Sequence, residues 1–284
     1  MLLGETFRVL RQDKGLTQTE VATKIMSVQL LSKFERSECG IGAEKMVKLL
    51  DRLNFFSFEL DNLSVVTSLD QQSKFLNKLQ LILKKHDLEE LQLLVVEEKT
   101  KYGMDSNFRH RFNTIIVEQR INQYVGIPFE KNKIKKLTKY LLEANYWWSY
   151  EITLFKNLIF CLDDQTIKLL YFRMLRQYRR RQCQECLLVQ LADVLTELVS
   201  KALDTHNGVT NLLQDIENTL EIFADSKCYS SKNKILFLEG LCLILAGNKQ
   251  KGENLVDSAL TVAVYMDDVE EKIFFKQMLK KYVA

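Results

Sequence analysis

Leu16-Thr17-Gln18-Thr19-Glu20-Val21-Ala22-Thr23-Lys24-Ile25, followed after Met26 by Ser27-Val28-Gln29-Leu30-Leu31-Ser32-Lys33-Phe34-Glu35-Arg36, is the stretch that decides the fold. Thr17 offers a side-chain oxygen to a helix start, and Glu20 follows three residues later. That pairing satisfies two amides left over at a helix N-terminus. Val21, Ala22 and Ile25 are the inward residues of this helix, and Ser27 is placed to cap a second one running through Leu30, Leu31 and Phe34. Ala22 is small enough for the two helices to cross tightly, while Val21, Ile25, Leu31 and Phe34 fill a small core. On one side the spacing predicts a helix over 4–14, with Phe7, Leu10 and Arg11 at helical intervals and Gly15 as its stop. On the other it predicts a turn over 37–42 and a helix over 43–53, with Met46, Val47, Leu50 and Leu53 as its apolar residues.

Beyond about residue 63 the apolar periodicity lengthens. It places helices near 69–85, 87–101, 105–125, 129–144, 146–161, 163–181, 184–205, 209–224, 230–247, 249–266 and 268–282. The links between them are short: His86-Asp87, Gly103, Gly126-Ile127-Pro128, Asp163-Asp164, Asn207-Gly208 and Gly247-Asn248. Short links between long amphipathic helices make antiparallel neighbours, and a series of such pairs makes an α-solenoid. Near the C-terminus, Phe237-Leu238-Glu239-Gly240-Leu241, then Ala246-Gly247-Asn248, Gly252 and Ala259, put small residues where paired helices must approach closely. In that placement the segment resembles the tetratricopeptide pattern. The expected fold class is therefore all-α, a helix-turn-helix bundle at 1–63 followed by a tetratricopeptide-like α-solenoid at 64–284.

Composition agrees. Among 284 residues there is one proline, Pro128, and ten glycines, too little punctuation for sheets and hairpins. The net charge of +3 does not announce a nucleic-acid binder, so any DNA contact must rest on a local surface. No apolar run reaches the length of a membrane span, and the N-terminus passes directly into an amphipathic helix without a signal-peptide core. A cytoplasmic protein with mostly reduced thiols is expected, without membrane association.

Ser27 at the cap makes the second helix of the pair a candidate reader of DNA. Val28 and Gln29 stand at its leading end, and a glutamine amide can bond adenine through both N6 and N7. Lys33, one turn on, reaches a guanine edge or a phosphate, and Ser32 contacts either. Arg36, with Arg8, Arg11, Lys45 and Lys48, would position the unit on phosphates, and Thr17 and Gln18 belong to the same DNA-binding surface. The alternative is that these are ordinary solvated helix surface.

The run 16–36 resembles the helix-turn-helix of lambda-repressor-like (XRE-type) regulators, with a turn one residue shorter than the commonest pattern and Met26 where glycine is frequent. Ser32-Lys33-Phe34-Glu35-Arg36-Ser37-Glu38, Leu49-Leu50-Asp51-Arg52-Leu53, Glu151-Ile152-Thr153-Leu154-Phe155-Lys156-Asn157-Leu158-Ile159-Phe160 and Phe237-Leu238-Glu239-Gly240-Leu241 extend a resemblance to the Rgg/MutR family of Gram-positive regulators over nearly the whole chain. The resemblance implies a homodimer, a helical C-terminal repeat domain that forms most of the dimer, and sensing of a short secreted peptide. Two recognition helices would then enter successive major grooves of double-stranded DNA about 34 Å apart, on a near-palindrome. Ligand binding would change DNA affinity or contacts with RNA polymerase.

A peptide would lie on the concave face of the solenoid. In the run from Tyr171 to Arg181, Arg173, Arg176 and Arg180 share one helix face, and guanidinium geometry matches a carboxylate. Equally, arginines near a helix C-terminus complement its dipole and face water. Asn157 and Trp147 or Trp148 are further candidates, and at least one of the adjacent tryptophans must be core or dimer contact.

Other constellations point to no chemistry. Cys183-x-x-Cys186 lacks the second ligand pair of a zinc site. His86, His110 and His206 are scattered, and no phosphate loop or nucleophile motif occurs. Asp163-Asp164 and Asp267-Asp268 begin helices, and the lysines at 131, 133, 135, 136 and 139 read as a solvated face. Cys39 has a redox role only if it is exposed. No enzyme activity, metal or cofactor is expected. Two other readings stay open: an interaction scaffold with a vestigial helix-turn-helix, and a dimeric regulator that needs no ligand.

Overall fold

The computed structural model describes residues 3–55, 71–180, 185–205, 209–224 and 226–283. Among them every regular element is helical. The chain divides into two compact units, Met1–Asp87 and Leu88–Ala284. The expected boundary at 63/64 lies outside the described residues. Helix α5 (Gln71–Lys85) falls in the first unit and turns Phe75, Leu79 and Ile82 inward.

In the first unit, α1 (Leu3–Asp13), α2 (Gln18–Ala22), α3 (Val28–Glu35) and α4 (Ala43–Arg52) surround one core. Phe7, Val21, Ala22, Leu31, Phe34, Leu49, Leu50 and Leu53 fill it, with Ile25 and Met46 at its edge. The expected face of α4 is corrected at one position: Val47 is 66% exposed and Leu49 is buried. Position 47 follows Met46 directly and so lies about 100° around the helix from it, whereas 46, 49, 50 and 53 share a stripe. Gly4 makes the crossing of α1 over α3. A Cβ there would fall 1.8 Å from the Phe34 carbonyl oxygen.

The second unit runs through α6 (Leu88–Asp105), α7 (Phe108–Val125), α8 (Lys131–Glu143), α9 (Ser149–Leu158), α10 (Asp164–Arg180), α11 (Glu185–Thr205), α12 (Val209–Ile222), α13 (Tyr229–Leu245), α14 (Lys249–Tyr265) and α15 (Val269–Tyr282). Most helices pack on the next in sequence, and alternate helices pack as well. One row is α9, α11, α13 and α15; the other is α8, α10 and α12. Two rows of alternating helices are the solenoid arrangement expected from the periodicity. At its C-terminal end, a Cβ on Gly240 of α13 would lie 2.8 Å from the Gly252 oxygen of α14, and one on Gly252 would lie 2.6 Å from the Gly240 oxygen.

Two expected helix boundaries move. Gly103 lies inside α6, and the chain turns instead at Ser106, with φ +54°, before Asn107 caps α7. The helix expected from 146 begins at Ser149. Trp147 is buried, donating its indole N–H to the Leu141 carbonyl at 2.9 Å, while Trp148 is exposed and donates its amide to Glu151 at 2.9 Å. Asp163 and Asp268 cap α10 and α15, accepting from the Thr166 and Glu271 amides. In α8, Ile134, Leu137 and Leu141 are buried while Lys131, Lys135, Lys136 and Lys139 face solvent. Lys133 is held by Glu118 and Glu130 at 2.7 and 2.8 Å.

Candidate nucleic-acid interface

The local chemistry of α2 and α3 follows from their caps. The Thr17 hydroxyl accepts from the Glu20 amide at 3.2 Å, and the Thr17 amide donates to Glu20 Oε2 at 2.7 Å. Ser27 Oγ accepts from the Leu30 amide at 3.2 Å. Between the two helices the left-handed residue is Lys24, with φ +61°, not Met26. The short turn closes by bonds from the Ile25 and Met26 amides to the Ala22 carbonyl, 2.9 and 3.0 Å. Arg52 of α4 then reaches across to the Glu20 and Thr23 carbonyls, 2.9 and 3.2 Å, tying α4 to the end of α2.

A buried ion pair fixes α3 against α1. Arg11 Nε and Nη2 donate to the two Glu35 carboxylate oxygens at 2.6 and 2.8 Å, and Nη1 donates to the Leu16 carbonyl at 2.6 Å. Gln18 Nε2 adds a bond to Glu35 Oε2 at 2.8 Å. Burial raises the Glu35 pKa, but the bonds from Arg11 and Gln18 and the charges of Arg11 and Arg8 outweigh it, leaving the carboxyl below its usual range. Arg11 is thereby corrected from a phosphate contact to a core residue: it is 8% exposed and its donors are spent inside the fold. Gln18 is half-buried and occupied in the same way.

The rest of the expected interface faces outward. Val28, Gln29 and Lys33 are exposed on α3, Ser27 and Thr17 at the caps, and Arg8, Lys24 and Lys45 beside them. Arg36 bonds Ser32 Oγ at 2.7 Å and Glu38 at 2.6 and 2.9 Å. Lys48 bonds Glu44 at 2.6 Å. These are solvent-side pairs that a phosphate can compete for. Cys39 is half-buried, with its sulfur 4.0 Å from the Leu30 carbonyl oxygen, against the core of the unit. Sequence reasoning missed Glu35. The signal was available: Arg11 follows Phe7 by four, and Glu35 follows Leu31 by four, so two opposite charges occupy core-facing phases.

In the repeat unit, Asn157 sits half-buried on α9 and donates to the Thr153 carbonyl at 2.9 Å. Arg173 and Arg176 sit on α10, in the other row. Arg173 Nη2 is spent on the Ala144 carbonyl at 2.5 Å, whereas Arg176 is exposed. Asn157 and these arginines thus sit on helices of different rows. The side chain of Arg180 lies outside the described residues, as do Cys183, the side chain of Cys186, and His206. No described helix is long and apolar enough to cross a membrane.

Residues 7–59 match the helix-turn-helix family model. Residues 91–277 match the model for the C-terminal domain of HTH-type transcriptional regulator Rgg. Among solved structures, the chain is similar to the SHP pheromone receptor Rgg2 of Streptococcus dysgalactiae, with 19% identity and TM-score 0.74 over 99% of each chain. It is similar to a bacterial peptide pheromone/receptor complex, with 14% identity and TM-score 0.70 over 99% of this chain and 98% of that one. It is also similar to the PrgX/cCF10 complex, with 13% identity and TM-score 0.72 over 99% and 92%. At these identities the likeness is one of fold.

Proposed function

Since the chain belongs to the Rgg family of HTH-type transcriptional regulators, we propose that it works as a homodimer that reads a near-palindromic site in double-stranded DNA and is controlled by a short peptide bound in its repeat unit. The observation that carries the DNA half is the presentation of α3. Its base is pinned by Arg11–Glu35, its start is capped by Ser27, and Gln29 and Lys33 stand exposed one turn apart. Gln29 reads an adenine edge, Lys33 a guanine edge or a phosphate, and Val28 packs on a thymine methyl. Thr17, Arg8, Arg36, Lys45 and Lys48 hold the phosphates on either side.

The peptide half is supported by the fold shared with structures described as a pheromone receptor and as pheromone complexes. Peptide binding changes the relative disposition of the two DNA-binding heads, and with it DNA affinity or contact with RNA polymerase. The protein acts in the cytoplasm, where it meets DNA, and no catalytic step is assigned to it.

Capture of random genomic fragments by the purified full-length protein at moderate salt, followed by sequencing, tests the reading. Enrichment of a site with two half-sites about one helical turn, ~34 Å, apart supports it. Recovery of fragments without a common site, with or without added peptides, would leave the scaffold with a vestigial head as the better account.

A further inference from the structure

A cavity of about 100 Å³ lies in the repeat unit where α10, α11 and α12 meet. Helices α10 and α12 are neighbours in one row and α11 belongs to the other, so three helix faces close around the space. Helix α10 lines it with Asp164, Ile167, Lys168 and Tyr171, at i, i+3, i+4 and i+7. Helix α11 repeats that spacing with Leu198, Lys201, Ala202 and Thr205, and α12 adds Leu212 and Asp215, one turn apart. Each helix thus turns a single face to the cavity. The apolar wall is Ile167, Leu198, Ala202 and Leu212, and the space opens to solvent beside the exposed Asp164, Lys168 and Thr205.

Two opposite charges in the lining are short of partners. Asp215 is half-buried, and among the described residues its carboxylate has neither a hydrogen bond nor an ion pair. Burial pushes its pKa up, opposed by the charge of Lys168. Lys201 is half-buried as well. It donates two of its three N–H groups to the Ile159 carbonyl, at 2.9 Å, and to the Leu162 carbonyl, which leaves one to give. Burial pulls its pKa down against the charge of Asp164. The neighbouring hydroxyls do not answer these charges: Tyr171 is engaged with Thr219 Oγ1 at 2.5 Å, and Thr205 donates to the Lys201 carbonyl at 2.9 Å. The charged residues of the lining are two lysines and two aspartates, so a ligand of no net charge matches them. An apolar cavity of ~150 Å³ takes benzene, so this smaller one takes an aliphatic side chain and not a peptide segment.

We propose that this cavity is a binding site for a free α-amino acid with an aliphatic side chain, its ammonium on Asp215, its carboxylate on Lys201 and Lys168, and its side chain against Ile167, Leu198, Ala202 and Leu212. Both unanswered charges are then met by one compact zwitterion, through hydrogen bonds of the charge-assisted kind. The first residue of a peptide carries the ammonium and the side chain but no carboxylate, and it leaves the lysines unanswered. The site goes beyond peptide control and does not rest on it.

Calorimetric titration of the full-length protein with leucine, isoleucine, valine and methionine, at millimolar concentrations, tests the assignment. Two analogues of leucine divide its charges: leucinamide lacks the carboxylate, and 4-methylpentanoate lacks the amino group. Saturable binding of at least one amino acid is expected, with both analogues of leucine weaker by about tenfold or more. Asp215→Asn should weaken binding by about tenfold or more, and Ala202→Leu, which fills the cavity, should abolish it. Lys168→Gln, at an exposed position, reads the same loss should either of those variants fail to fold. Absence of saturable binding by all four amino acids overturns the proposal. Leucinamide binding as well as leucine overturns it too, and hands the cavity to the first residue of a peptide. Binding unchanged in the folded variants places the ligand elsewhere and is equally fatal. None of these outcomes bears on peptide control, which stands or falls by its own test.

Discussion

Arg11 and Glu35 meet inside the core of the DNA-binding head, two parallel hydrogen bonds of 2.6 and 2.8 Å joining the first helix to the end of the third. The pair is almost closed to solvent, with side-chain exposures of 10% and 1%. Removing one member leaves the other charge buried, which costs about 3–5 kcal/mol. Glu35→Ala and Arg11→Ala should therefore each unfold the head at temperatures where the wild type is folded. The double variant Arg11→Met/Glu35→Leu should be more stable than either single one. Thermal unfolding followed by circular dichroism checks this, and single variants that melt like the wild type would show that the pair is solvated.

The same pair makes the head acid-sensitive. The Glu35 carboxyl is held below its ordinary range in the folded state. Its contribution is therefore complete above the unfolded carboxyl pKa of about 4.3 and declines as pH falls through the folded value. The stability difference between wild type and Glu35→Gln should be constant near neutrality and shrink below about pH 4. Urea titrations at a series of pH values read the trend, and a difference that grows on acidification would contradict it.

Lys24 occupies the left-handed region at φ +61° in the turn between α2 and α3. A side chain there costs about 1–2 kcal/mol relative to glycine, partly offset because glycine gives the unfolded chain more freedom. Lys24→Gly should raise the stability of the head by about 0.5–1 kcal/mol, seen as a higher urea midpoint. A loss of stability would mean that the Lys24 side chain makes contacts worth more than the backbone strain.

Much of this architecture was legible in the sequence because it rests on local chemistry. Thr17/Glu20 and Ser27 are cap signals read from three-residue spacings, and the helices of the repeat unit follow from apolar periodicity. The left-handed turn residue escaped because the shortened link removes the glycine that marks it elsewhere, and nothing in Lys24 itself announces a positive φ. Gly103 misled for the converse reason: glycine costs a helix only about 1 kcal/mol, and the packing of α6 on α7 overrides it. Arg120 of α7 and Glu197 of α11 are 77 positions apart in the chain, and each bears on the other's charge state only because the fold brings their helices near one another. No spacing within a single helix carries that information, whereas Arg173, Arg176 and Arg180 form a conspicuous local run that the fold spends partly on the Ala144 carbonyl.

Gly240 and Gly252 face each other across α13 and α14, each occupying the space where the other's Cβ would meet a carbonyl oxygen. Gly240→Ala or Gly252→Ala must push the helices apart, an overpacking cost of about 1–3 kcal/mol. Either variant should melt earlier than the wild type, and the double variant should lose less than the sum, because one separation of the helices relieves both clashes. Additive losses would indicate that each glycine is tight for its own reason.

Gln29 and Lys33 should separate in their effects on DNA. Both are exposed on α3, one turn apart, so neither substitution to alanine disturbs the core. Gln29→Ala removes a group with two hydrogen bonds to offer one base. It should cost about 1–3 kcal/mol on the preferred site and relax selection at one position of each half-site. Lys33→Ala splits two roles: a phosphate contact would weaken all sequences alike and lower the salt slope by about one, whereas a guanine contact would relax a second position. Affinity profiling on a randomised site, at two salt concentrations, distinguishes these. Unchanged selectivity in Gln29→Ala would move base reading to Val28 and Ser32, and unchanged affinity in both variants would remove α3 from the interface.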